Sequence, residues 1–198
     1  MSNATATLIL AAGSSQRMGD RHKQLLPWGE DTLLRHTIRQ AVDALPGLAY
    51  VVLGADFFTI RRHIKDLDVH VLHNPDHDQG LGTSIASGVA QLLDHSQPTH
   101  LLILLADQPQ VSTSLIRTYL EKSSAYPSSI IATAYDRRPG VPAVFPSSFF
   151  PKLLKLKGDS GANKLLRTEE NVLKVYPPKP LYDIDTPEDY RRHRHEGD

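Results

Sequence analysis

Leu8-Ile9-Leu10-Ala11-Ala12-Gly13-Ser14-Ser15-Gln16-Arg17-Met18-Gly19, with Lys23-Gln24-Leu25-Leu26-Pro27 close behind, is the stretch that decides the fold. The apolar run Thr7–Ala11 predicts a strand that passes directly into small residues and glycine. Such a turn lets backbone N–H groups face a bound anion. Arg17 and Lys23 place fixed positive charge over the same spot. The Gly and Ser residues alone would equally suit an ordinary βα loop; the two cations that follow favour a phosphate site. Two better-known phosphate loops do not fit. For a Walker loop, Gly13 and Gly19 are one residue too far apart, and Asp20 follows. Gly80-Leu81-Gly82 begins a dinucleotide fingerprint, but Ile85 stands where its third glycine belongs.

Outward from this loop, short apolar runs alternate with segments of helical period. Strands are predicted over Thr7–Ala11, Tyr50–Leu53, Val69–Leu72, His100–Leu105 and Ile130–Ala134, rich in Leu, Ile and Val as in sheets covered on both faces. Helices are predicted over Leu33–Leu45, Phe57–Ile64, Ser84–Leu93 and Leu115–Ala125. The alternation implies an α/β fold with a mainly parallel sheet. The last third is less regular. Val144-Phe145 and Val172–Tyr176 read as strands, Phe149–Leu156 and Gly161–Arg167 as helices. Pro177-Pro178-Lys179-Pro180 is a stiff connector, and Thr186-Pro187-Glu188-Asp189 has the features of a helix start.

The chain has 198 residues, 40% of them hydrophobic, enough for a core without staples. No composition break divides it, so 1–198 is expected to be one domain. Lys+Arg and Asp+Glu both number 22, which argues against a nucleic-acid or anionic-membrane partner. There is no cysteine, so thiolate metal sites and a Cys nucleophile are excluded. The longest apolar run, Leu101–Ala106, falls far short of the ~20 residues of a membrane span. With no visible secretory signal, a cytoplasmic location is expected.

These residues carry a resemblance. Leu10-Ala-Ala-Gly-x-Ser-x-Arg-Met-Gly19 with Lys23-Gln-Leu-Leu-Pro27 resembles the signature of the MobA-like nucleotidyltransferases, and within them the molybdenum cofactor cytidylyltransferase branch. Asn74, Gly80-x-Gly82-Thr-Ser84, Asp107-Gln108-Pro109, Gly140-x-Pro142, Gly158-Asp159-x-Gly161-Ala162 and Asp183-Ile-Asp185-Thr-Pro continue the match along nearly the whole chain. The resemblance implies a three-layer α/β/α fold of the nucleotide-diphospho-sugar-transferase-like, Rossmann-like kind. It implies CMP transfer from CTP to the phosphate of molybdopterin or the molybdenum cofactor, releasing pyrophosphate. It also implies passing contact with a molybdoenzyme or its chaperone.

On this reading Lys23, Arg17 and Asp107 are the catalytic residues. Ala11, Ala12, Gly13, Ser14, Ser15, Arg17, Lys23, Asn74, Gly80, Gly82 and Ser84 bind the nucleotide. Asp107, at the carboxyl end of the most apolar strand, suits a Mg²⁺ ligand. Asp185 is expected to be its partner. Asp183 is held in reserve, on the expectation that the two point oppositely along an extended segment. The resemblance also implies an NTP-binding half over about 1–110 and an acceptor-binding half over about 111–198, in which Gly140, Pro142, Gly158, Asp159 and Gly161 are expected to bind the acceptor. Val141 and Asn163 depart from the family, where His and a basic residue are common. The Ala-Ala-Gly form favours CTP by family pattern. GTP or another phosphorylated acceptor is the alternative, and a non-catalytic nucleotide binder a third.

Other motifs point elsewhere more weakly. Gly82-Thr83-Ser84-Ile85-Ala86 nearly spells a hydrolase nucleophile elbow, but it ends in Ala and follows a polar loop rather than a strand. His70 and His73 should face opposite sides of a strand, which disfavours a zinc cluster with His77. Arg191–His195 reads as a solvated helix end.

Overall fold

A computed structural model describes residues 4–13, 16–19, 22–136 and 138–197. The strands are β1 (Thr5–Ala11), the short pair β2 (Pro27–Trp28) and β3 (Asp31–Thr32), β4 (Ala49–Leu53), β5 (His70–His73), β6 (His100–Leu105), β7 (Ile130–Tyr135), β8 (Arg138–Pro146) and β9 (Val172–Val175). All but β2 and β3 join one sheet in the order β5-β4-β1-β6-β8-β7-β9. β1 pairs in parallel with β4 and β6, β4 with β5, and β7 with β9. Within this sheet, among the described residues, only β8 runs against its neighbours. The helices are α1 (Leu33–Ala44), α2 (Phe57–His63), α3 (Leu81–His95), α4 (Thr113–Ala125), α5 (Phe150–Leu153), α6 (Asn163–Thr168) and α7 (Pro187–His193).

Alternate side chains of each strand feed different layers, as a pleated backbone requires. Leu8 and Leu10 pack with Ile85 and Val89 of α3, while Ile9 and Ala11 pack with Leu34 and Ile38 of α1. The three-layer α/β/α fold is thus as the sequence implies. After β1 the chain moves outward to β4 and β5, then returns to place β6 on the other side of β1. That reversal opens a crevice at the carboxyl ends of β1 and β6, where parallel sheets bind ligands.

Several elements differ from expectation: the helix predicted over Phe149–Leu156 is regular only over Phe150–Leu153, and the β2–β3 pair is not among the predicted strands. α3 begins at Leu81, three residues before the predicted Ser84. The weak helix former Gly82 conceals the start; its N–H donates to Gly158 O at 2.8 Å, so a distant loop satisfies the first turn. β8 spans nine residues where only Val144-Phe145 was predicted. Pro139, Gly140 and Pro142 obscure it, and the ladder accommodates them through a register shift opposite Ala132/Thr133. The α7 start is as predicted. Thr186 Oγ1 accepts from Asp189 N, and Asp189 Oδ2 accepts from Thr186 N. Behind it Ile184 is buried with Met18, Leu26, Trp28 and Leu33, against which Tyr190 packs. The end of the chain therefore returns to the region that follows the first loop.

Candidate active site

A cavity of about 530 Å³ occupies the crevice between β1 and β6. Ala11, Ala12 and Gly13 form one wall; Gly80, Leu81 and Ser84 at the start of α3 form another. Its charged end is built from four residues far apart in sequence. Lys23 Nζ lies 2.5 Å from Asp107 Oδ2 and 3.0 Å from Asp185 Oδ1, and Arg17 lies 3.0 Å from Asp185 Oδ2. Burial by itself would lower the pKa of the Lys23 ammonium; the charge and hydrogen bond of Asp107, then those of Asp185, outweigh it and hold it above its ordinary value. Asp107 Oδ1 is buried with no hydrogen-bond partner among the described residues.

The expectation that Asp183 and Asp185 point apart is corrected here. Residues two apart on an extended chain share a face, and the buried Ile184 between them faces away. Asp183 lines the cavity and accepts from Gln108 Nε2 at 2.8 Å. Burial, and next the charge of Asp107, raise its carboxyl pKa above the usual range.

Backbone anchors keep this geometry. The side chain of Gln24 is buried and its Nε2 donates to Ala11 O and Gly13 O, clamping the first loop. Thr37 Oγ1 donates to Ala106 O, His36 Nε2 lies 3.1 Å from Pro109 O, and Ile184 N donates to Asp107 O. Burial holds the His36 imidazole below its ordinary pKa, against the opposing Pro109 bond and Asp31 charge. A lowered histidine pKa contributes stability that is complete above the unfolded value and lost as pH falls through the folded one. His36→Gln should therefore show a smaller drop in melting midpoint than the parent between about pH 8 and pH 5. Equal drops in a two-pH thermal scan would refute this linkage.

A second cavity, of about 700 Å³, adjoins the first and shares Leu105 and Asp183 with it. Gly140, Val141 and Asn163 line it, together with Tyr135 and Gln108. Gln108 Nε2 donates to Tyr135 Oη, which in turn donates to Val141 O.

The family model of the MobA-like NTP transferase domain matches residues 7–172. The chain belongs to this family. It is 30% identical to the purine catabolism protein PucB of Bacillus subtilis, over 92% of both chains. It is 25% identical to the molybdenum cofactor cytidylyltransferase of Escherichia coli, over 95% of this chain and 94% of that one. Among solved structures it is similar to the manganese complex of Rv0371c from Mycobacterium tuberculosis, with TM-score 0.77 and 27% identity over 97% and 98% of the two chains. This protein is therefore a nucleotidyltransferase of the MobA-like kind.

Within this MobA-like chain, Ala11, Ala12, Gly13, Arg17, Lys23, Gly80, Ser84 and Asp107 all line the first cavity. Ser14 and Ser15 lie outside the described residues. Asn74 stands behind the wall, its Nδ2 donating to Ser84 Oγ at 3.0 Å. Gly82 packs on the 157–158 backbone, with no room for a Cβ. The residues expected for the acceptor do not form one group. Gly140 lines the second cavity, whereas Asp159 lines the first. A Cβ on Gly80 would meet Asp159 and Gly158, and one on Gly161 would meet Leu81. The 158–161 loop thus buttresses the start of α3, at the wall of the first cavity. Pro142 sits within β8, where its carbonyl accepts from Thr133 Oγ1. Ser84 is buried on a helix rather than presented on an elbow. His70 stacks on Tyr50 and His73 packs on Phe57, on opposite faces of the sheet. Among the described residues no three His, Cys, Asp or Glu side chains are grouped to hold a metal, and no helix is long and apolar enough to cross a membrane.

Gln24, Tyr135 and Gln108 join the site in the fold without being marked as site residues by the sequence. Gln24 and Gln108 stood inside the quoted motifs, so their adjacency to Lys23 and Asp107 was the available signal. Tyr135 had none.

Proposed function

We propose that this nucleotidyltransferase moves CMP from CTP to the terminal phosphate of molybdopterin or its molybdenum-loaded form, releasing pyrophosphate. The carrying observation is the meeting of Lys23, Arg17, Asp107 and Asp185 at the charged end of a cavity walled by Ala11–Gly13 and the start of α3. The Ala-Ala-Gly wall, similar to that of cytidine-using relatives, supports CTP. The likeness to a molybdenum cofactor cytidylyltransferase over nearly the whole chain supports the acceptor.

The chemistry asks for positioning rather than a base. A phosphate monoester has its second pKa near ~6, so the attacking oxygen is already largely ionised at neutral pH. Lys23 and Arg17 hold the triphosphate and take up the charge that develops on pyrophosphate. The Lys23 ammonium donates in any direction, so it can exchange a carboxylate for a phosphate oxygen as the nucleotide enters. Asp107 and Asp185 fit a divalent cation: both offer hard oxygen donors, and Asp107 Oδ1 is buried without a partner among the described residues. Mg²⁺ held there would neutralise charge on the phosphate oxygens.

The test is pyrophosphate release with molybdopterin and Mg²⁺, offering CTP, GTP, ATP and UTP separately. Release is expected with CTP alone. A second reading keeps the donor site but takes another phosphorylated acceptor, or GTP. It is favoured by Val141 and Asn163 lining the second cavity, where family members commonly carry His and a basic residue. Release with GTP, or only with a different phosphate monoester, would replace the first reading by this one.

A further inference from the structure

The second cavity holds two cations that the proposed transfer does not use. Arg138 opens β8 and Arg167 lies in the last turn of α6; both line the cavity. Arg167 shares a helix face with Asn163, four residues earlier, which lines it too. Elsewhere Arg35, Arg39 and Arg192 are each paired with a carboxylate. Arg138 and Arg167 make no side-chain hydrogen bond or ion pair among the described residues. The acids on the same walls are engaged elsewhere or stand off. Asp183 is bonded to Gln108 at the junction with the first cavity, and Asp136 forms no ion pair with either arginine.

Tyr135 sets the scale between these arginines and the reaction. It pairs directly across the ladder with Arg138, so both start from the hairpin end of the cavity. Its ring passes over Gly140, where a Cβ would come within 2.9 Å of it, and its hydroxyl meets Gln108 beside Asp183. The reacting oxygen must lie at that junction, next to Lys23 and Asp107. Arg138 starts from the hairpin end of the cavity, opposite Tyr135, whose hydroxyl marks the other end beside Gln108 and Asp183.

We propose that Arg138 and Arg167 grip a second anionic group on the acceptor, at the end of the molecule remote from the reacting oxygen. The substrate class is thus a two-ended anion: a phosphate monoester at one end, and a carboxylate, oxyanion or anionic metal centre at the other. Guanidinium forks suit that task, because they bind planar and oxyanionic groups through paired N–H donors. The inference deepens the proposed reaction and rests on the second cavity being the acceptor's place.

Two probes test it without any nucleotide: phenyl phosphate and 4-carboxyphenyl phosphate, titrated by calorimetry and by the Nε–H resonances of Arg138 and Arg167. The carboxylated probe should bind about tenfold more tightly and shift both resonances. In R138Q/R167Q the two affinities should converge, with an unchanged melting midpoint reporting an intact fold. Equal affinities in the parent, a preference that survives the double substitution, or no saturable binding of either probe would each overturn the proposal. Failure of CTP turnover alone would count against the cytidylyl reading and leave these titrations standing.

Discussion

Asp107→Ala is expected to lower the rate of pyrophosphate release by about 10³-fold, the scale of losing a pre-set electrostatic contact in a transfer site. One Asp107 oxygen holds Lys23, and the other is buried without a partner among the described residues. Alanine removes both at once. The fold should tolerate the change. Lys23 keeps Asp185, and the loop remains tied through the carbonyls of Ala106, Asp107 and Pro109 rather than through the lost carboxylate. Asp107→Asn separates charge from shape, because it fills the same space. If Asn retains more than about a tenth of the parent rate, the charge of Asp107 is not what the reaction uses.

Lys23→Met should do more, because it damages both rate and stability. The ammonium stands between two carboxylates and its side chain is only 16% exposed. Without it Asp107 and Asp185 face each other with Asp183 nearby, and among the described residues only the largely exposed Arg17 is paired with one of them. Stranding part-buried charge of this kind costs about 3 kcal/mol, and the rate should fall by at least about 10²-fold. A divalent cation then has a cleaner site to enter. Millimolar Mg²⁺ should raise the melting midpoint of Lys23→Met more than that of the parent. Equal shifts would argue that Asp107 and Asp185 do not share a metal. Arg17→Ala makes the contrast: an exposed pair contributes little to stability, so it should slow transfer and leave the midpoint in place.

What could be seen in the sequence divides along a physical line. Buried parallel strands such as His100–Leu105 are apolar throughout, and amphipathic helices such as α1 repeat with their own period, so both announce themselves locally. The first loop was legible for the same reason, its small residues and cations being neighbours in the chain. The remainder depends on contacts between distant segments. Gly82 reads as a helix breaker until Gly158 supplies its hydrogen bond. Asp159 is distant in sequence from Gly80, and only the folded chain brings it against that turn at the wall of the first cavity. The relation of Asp183 to Asp185 follows from strand geometry alone, since residues two apart share a face. Tyr135 lies in an ordinary strand, and nothing local marks it as a bridge between the cavities.

The pairing of Lys23 with Asp185 has a consequence for how the protein comes into being. The two residues are separated by 162 positions, and the segment carrying Asp185 is tied down by a backbone bond to Asp107 and by Ile184 buried among Met18, Leu26, Trp28 and Leu33. During synthesis the first loop and β6 exist long before Asp185 does. A growing chain can shape the walls of the first cavity early, but Lys23 gains its second carboxylate only once the 162 positions that separate it from Asp185 have been added, so charge balance at this centre trails the assembly of its walls.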